Sequence, residues 1–200
     1  MPELITNPTL DRLLSTTEQI IRERGCRRTT LQEIMNRSGL SKGAIYHYVT
    51  SKDELFGLIF KSRMEAVNTR FFEAVKSARR ELDQPLKAIT EGLRHIHNEK
   101  DVSNQIFIYL LSQQENPAIR EMLREIYDHS VRTAAIWIET GQKNGVIPDS
   151  LDARKMADMF VVLSYGLRAR SMISTEAVSF SMDDFHELMH HMLSEHSRGG

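Results

Sequence analysis

Thr29 to Lys52 reads TTLQEIMNRSGLSKGAIYHYVTSK, and the spacing within it decides the fold. Leu31, Ile34 and Met35 fall at i, i+3 and i+4, so a short helix would present them on one face. Thr29 or Thr30 can cap that helix, and Glu33 stands three residues after Thr30 in capping-box spacing. Gly39 then interrupts the pattern. A glycine there can take the left-handed conformation that ends a helix, Leu40 can fill the angle between two helices, and Ser41 can cap the next. That second helix is expected from Lys42 to about Tyr48, and it is too short to be stable alone.

Its composition gives the reason for its presence. Ala44, Ile45 and Tyr48 supply inward contacts, whereas Lys42, Gly43, Tyr46 and His47 leave a polar, uncluttered outer surface. A cation, a phenol, an imidazole and free backbone N–H groups at a small leading end suit insertion into a DNA major groove. Ser51 can cap the helix that follows and set Lys52 beside a phosphate.

The run TTLQEIMNRSGLSKGAIYHYVTSKDELF, Thr29 to Phe56, resembles the DNA-binding signature of the TetR family of transcriptional regulators. The segment IIRERGCRRTT, Ile20 to Thr30, matches the end of that family's first helix and its approach to the second. Val49 and Thr50 replace the usual Phe and Pro, a departure in packing and in the turn rather than in the groove-facing surface. The resemblance implies that Thr29, Thr30, Ser41, Lys42, Gly43, Ala44, Tyr46 and His47 face DNA, and that Lys52 adds a backbone contact. It also implies an all-α fold of about nine helices. In that fold an N-terminal three-helix head, carrying the helix-turn-helix, is joined by a long fourth helix to a body that dimerises and binds a small inducer.

Whole-chain composition agrees. The 200 residues carry a formal net charge of −1, so no strong field covers the molecule. The balance is uneven, however: between Arg12 and Lys52 eight Lys or Arg face three Glu, leaving +5 at one end, which fits nucleic-acid binding there. Cys26 is alone, which excludes an intramolecular disulfide and suits a small packing residue beside Gly25. No apolar run reaches the length of a membrane span, and MPELITNPTL lacks the basic and apolar regions of a signal peptide, so a cytoplasmic protein with no membrane partner is expected.

In chain order, residues 1–8 read as a flexible arm, 9–55 as the DNA-binding domain and 56–200 as the helical effector-binding and dimerisation domain. Thr9 can start the first helix, whose stripe of Leu10, Leu13, Leu14, Thr17, Ile20 and Ile21 supplies the wall that a helix-turn-helix needs behind it. From Lys52, apolar residues recur at three and four as far as Val75, and the long helix is expected to reach about Arg79. Pro85 suits the first turn of a fifth helix running through Leu93 and Ile96, and Val102 to Gln114 forms another. Asn116 and Pro117 then open a helix that stops near Asn144 and Gly145. Leu151 to Ile173 is apolar around much of its circumference, and a last helix spans about Met182 to Leu193. Arg198 to Gly200 are expected to fray.

The surplus apolar surface on the two terminal helices predicts a homodimer built as a four-helix bundle, with Met159, Val162, Leu163, Phe185, Leu188, Met189 and Met192 at the interface. Effector-pocket candidates are Phe71, His95, Gln105, Phe107, Tyr109, Gln113, Tyr127, Trp137, Tyr165 and Arg168, a set that favours an apolar or aromatic molecule. Any aromatic at helical spacing has a core role as its alternative, and Trp137 needs either an N–H partner or a cavity. His186 and His190 share a face at metal-binding spacing, but without an HExxH pattern a solvated or dimer-lining pair is expected, with no metal and no cofactor.

No phosphate loop, nucleophile elbow or cysteine cluster is present, and Ser41-Lys42 reads as cap plus phosphate cation, so no enzyme is expected. The expectation is a ligand-responsive repressor of the TetR type, released from a palindromic double-stranded DNA operator by a small effector. The alternatives are an activator or architectural DNA-binding protein without an inducer, and a helical protein-interaction module.

Overall fold

The computed structural model describes residues 7–77, 81–173 and 179–194. Among them the α-helices are α1 (Pro8–Arg24), α2 (Leu31–Ser38), α3 (Lys42–Tyr46), α4 (Lys52–Ser77), α5 (Asp83–Gly92), α6 (Val102–Ser112), α7 (Pro117–Lys143), α8 (Ala153–Ser171) and α9 (Met182–Ser194), with a 3₁₀ turn at Arg94–His97. The described residues contain no strand, and the fold is all-α. No described helix is long and apolar enough to cross a membrane.

Packing divides the chain into two units. The first holds α1 to α3, α4 as far as Ser62, and Lys100–Leu123; the second holds α4 from Arg63, the chain on to Glu99, and the chain from Arg124. In the first unit Leu13, Ile20, Ile34, Ile45, Val49 and Leu55 form one buried cluster, with Leu14, Leu31, Met35, Leu40, Tyr48 and Leu58 packed against it. The i, i+3, i+4 stripes of α1 and α2 therefore close on each other and on α3. Behind them Phe60 stacks on Phe107 at 6.1 Å, and Phe56 meets Tyr109 edge-on at 5.5 Å. In the second unit α5 lies on α9, the 3₁₀ turn lies on α8, and Phe71, Ile89, Val131, Ile138, Phe160, Phe185 and Met189 belong to one core.

Several helix ends differ from the sequence expectation, some for a local reason and one through a distant contact. α1 begins at Pro8 because Asn7 caps it, its Oδ1 accepting from Thr9 N and Leu10 N, and proline is pre-set for the first helical position. α5 stops at Gly92, where the chain lies so close to α4 that a Cβ would stand 2.8 Å from Val67 Cγ2; Leu93 then precedes the tighter turn and Ile96 lies within it. α6 ends at Ser112, two residues before Gln114, as Gln113 N–H turns back to Leu110 O. α8 starts at Ala153 with Asp152 as its cap, which leaves Leu151 outside the helix and buried. The expected end of α4 at Arg79, the arm before Asn7 and the residues Arg198 to Gly200 lie outside the described residues.

Candidate nucleic-acid interface

The interface is built from three caps and one left-handed glycine. Thr30 Oγ1 accepts from Glu33 N at 3.2 Å and opens α2. Gly39, at φ 65 and ψ 14, returns its N–H to Met35 O and closes α2. Ser41 Oγ accepts from Ala44 N at 3.2 Å and opens α3. Ser51 Oγ accepts from Glu54 N at 3.1 Å and opens α4, while the Glu54 carboxylate takes the Thr50 N–H at 2.6 Å and its hydroxyl at 2.9 Å. A threonine thus ties the turn where a proline is usual, and Val49 is buried beneath it.

Ile45 holds the five-residue α3 in place. It is fully buried, and burying an isoleucine contributes roughly 1.5–3 kcal/mol, more than so short a helix gains from its own hydrogen bonds. With Ile45 inward and Ala44 and Tyr48 half-buried, Ser41, Lys42, Gly43, Tyr46 and His47 are exposed. Tyr46 is 45% exposed, a large apolar ring left in solvent, and Lys42 Nζ sits 5.5 Å from its centroid. A Cβ added at Gly43 would meet nothing within 4 Å. Thr30 is exposed as well.

Two of the residues expected to face DNA are placed otherwise. Thr29 is fully buried, and its hydroxyl donates to Gly25 O at 3.0 Å, so it ties the end of α1 to the start of α2. Lys52 turns its ammonium inward: Nζ donates to the carbonyl oxygens of Cys26, Arg27 and Thr29 at 3.3, 3.3 and 3.1 Å, and lies 5.3 Å from the Tyr109 centroid. It clamps the α1–α2 loop from the first turn of α4.

Surface ion pairs take up other cations. Arg22 pairs with Glu18, Arg24 with Glu33, and Arg37 with both Glu23 and Glu33. The Arg37 hydrogen bond holds the Glu23 carboxyl below its ordinary range. Among the described residues, the head cations outside any salt bridge are Arg12, Arg27, Arg28, Lys42 and Lys52, and of these Lys52 spends its donors on backbone carbonyls.

The effector candidates divide between the two units. In the first, Phe107 stacks on Phe60, and the Tyr109 hydroxyl donates to Asp53 Oδ1 at 2.9 Å; burial, then this bond, pushes the phenol up to about 12. Gln105 Nε2 donates to Lys100 O, and Gln113 Nε2 to the Ser112 hydroxyl. In the second, Trp137 Nε1 donates to Asn68 Oδ1 at 2.7 Å while its ring lies 5.4 Å from that of Phe71. Trp137 therefore has the N–H partner that its alternative reading required. Tyr127 donates to Asp158 and packs edge-on against Tyr165, whose hydroxyl is 3.4 Å from Ser130 Oγ. Arg168 is buried and His95 exposed.

Of the dimer candidates, Phe185 and Met189 lie inside the core of their own chain, Phe185 edge-on to Phe160, and present no outer surface. Val162 is 54% exposed, and Met159, Leu163, Leu188 and Met192 are half-buried. His186 sits between Asp83 Oδ1 and Thr90 Oγ1, each at 3.3 Å, and its ring stacks on that of His190. Among the described residues no three His, Cys, Asp or Glu side chains gather as a metal site would need.

Sequence reasoning missed Asn7, placing it in a loose arm. The signal was present, since Asn followed by Pro is the pattern of a cap and a first-turn proline. Asn7 Nδ2 also reaches across the head to the Tyr48 hydroxyl at 2.7 Å.

Residues 13–59 match the family described as bacterial regulatory proteins, tetR family. The chain is 22% identical over 157 residues to the HTH-type transcriptional regulator YfiR of Bacillus subtilis, covering 78% of this chain and 76% of that protein. It is 21% identical over 163 residues to the HTH-type transcriptional regulator UidR of Escherichia coli, covering 81% of each. In fold it is similar to the fatty acid degradation regulator FadR from Bacillus halodurans, with a TM-score of 0.66 at 18% identity over 98% of this chain and 99% of that one. The capped helix-turn-helix with its exposed outer face lies within the residues that match the tetR family of bacterial regulatory proteins, so this chain carries a TetR-type DNA-binding domain and is similar over most of its length to transcriptional regulators.

Proposed function

We propose that this protein is a cytoplasmic, homodimeric repressor that leaves a palindromic operator when a small molecule binds its helical body. The observation that carries the DNA part is the exposed set Lys42, Gly43, Tyr46 and His47 on a helix anchored by buried Ile45. In this reading residues 9–55 are the DNA-binding domain and 56–200 the effector-binding and dimerisation domain. Ser41, Lys42, Gly43, Ala44, Tyr46 and His47, with Thr30, meet the groove and its phosphates. Two copies joined through Met159, Val162, Leu163, Leu188 and Met192 set two recognition helices about one DNA turn, roughly 34 Å, apart.

The effector part draws on the second unit, which holds the aromatic rings of Phe71, Tyr127, Trp137 and Tyr165 and the guanidinium of Arg168; a ligand there would take over donors now held by Asp158 and Asn68. An effector binding there shifts the population of the DNA-competent state through α4, whose residues belong to both units. Selection of bound sequences from random duplexes, repeated with a compound library, tests both halves. A two-fold symmetric site and its release by a compound are expected. No enrichment of any sequence would overturn the DNA-binding reading, and enrichment indifferent to every compound would leave an architectural protein.

A further inference from the structure

We propose that Asn7 is a positioning residue for DNA binding that acts through the Tyr48 hydroxyl, an inference that rests on the reading of α3 as the DNA-facing helix. The Asn7 amide has both ends committed. Its Oδ1 accepts from Thr9 N and Leu10 N at 3.2 Å each, and its Nδ2 donates to the Tyr48 hydroxyl at 2.7 Å. Two backbone N–H groups on one side demand an acceptor there, so the amide cannot be flipped, and its NH₂ must be the end that meets Tyr48.

An NH₂ group only donates. The phenol oxygen must therefore accept, and its own proton is left for another acceptor. Among the described residues that hydroxyl has no second partner. The Tyr48 ring is held as well, packed against the cluster of Leu13, Ile34 and Ile45 and set edge-on to the His47 ring at 5.0 Å. A fixed O–H donor thus stands one residue from exposed His47. The acceptor that a DNA-facing surface brings to such a donor is a phosphate oxygen, and hydroxyls are regular partners of phosphates in protein–DNA contacts. The cap that starts α1 and the donor beside the recognition helix are one side chain's two ends.

The test titrates full-length Asn7→Ser, Asn7→Asp, Tyr48→Phe, the Asn7→Ser/Tyr48→Phe double variant and Lys42→Ala against a fluorescent random-sequence duplex across a salt series. Serine keeps the capping oxygen and lacks the amide donor, so Asn7→Ser is expected to melt with the parent. Asn7→Ser and Tyr48→Phe should each weaken binding about threefold to tenfold. Their salt slope should not change, because a neutral donor releases no counterion. The double variant should bind no more weakly than Tyr48→Phe, and Asn7→Asp should bind more weakly than Asn7→Ser, since a carboxylate would claim the phenol proton. Lys42→Ala should lower the slope by about one. Parental binding by Asn7→Ser, a loss that tracks its melting temperature, or losses that add in the double variant would overturn the role of Asn7 while Lys42→Ala still marks α3 as the DNA face. If Lys42→Ala also bound like the parent, both would fall.

Discussion

Lys52 and Cys26 show how far a single side chain's work depends on what lies across the fold. Lysine at the start of a helix reads as a phosphate cation from local pattern, yet its ammonium is taken by three carbonyls more than twenty residues earlier. Lys52→Met should lower the stability of the head by about 1.5–3 kcal/mol, the range for hydrogen bonds to a charged group. The salt slope of DNA binding should stay as it is, whereas loss of a phosphate cation would reduce it by about one. Denaturant melts and binding titrations separate the two roles. Beneath that clamp burial pushes the Cys26 thiol up to about 12, from an ordinary value of 9.0. A thiol that must stay protonated in the fold favours folding at neutral pH, and this contribution is lost as pH rises from about 9 toward 12. Cys26→Ala should therefore show a flatter loss of melting temperature than the parent over that range, the contribution of Tyr109 being common to both.

At the scale of elements, close approach decides what a position tolerates. Gly57 and Gly92 both face a side chain where a Cβ would overlap: Met122 Sδ at 2.6 Å and Val67 Cγ2 at 2.8 Å. Methionine can swing its end away, while a β-branched valine on a helix has nearly one rotamer. Gly92→Ala should therefore destabilise by about 1–3 kcal/mol, and Gly57→Ala by less, in calorimetric scans. Val67→Ala in the Gly92→Ala background should recover part of the loss. The helix-turn-helix itself was legible because each of its signals is local: a cap, a glycine and a three-residue spacing all lie within a turn or two. The stop at Gly92 was not, since it comes from the approach of α4, which no window around residues 85–96 contains. Thr29 was misplaced for a related reason. Thr29 and Thr30 are both competent caps, and only the partner at Gly25 O assigns the first to the interior.

For the molecule as a whole, apolar surplus on α8 and α9 pointed to a partner copy, but pattern alone did not divide it between core and surface. Phe185 and Met189 serve the chain's own core, and Val162 remains outside. Val162→Glu should be monomeric at concentrations where the parent sediments as a dimer, and it should lose affinity for a two-fold symmetric site more than for a half-site. A dimer that persists in Val162→Glu would move the interface elsewhere.

Gly43 is the place on α3 where the fold asks for nothing. The space beside its α-carbon is open, so residues of many sizes could occupy the position without disturbing Ile45 or the caps. Glycine is also the weaker helix former there, and a larger residue compatible with the backbone would gain roughly 0.4–1 kcal/mol of stability. If α3 meets DNA as proposed, retaining glycine is a compromise at that surface, and descendants of this chain would be able to acquire new operator preferences at position 43 while folding as well as before.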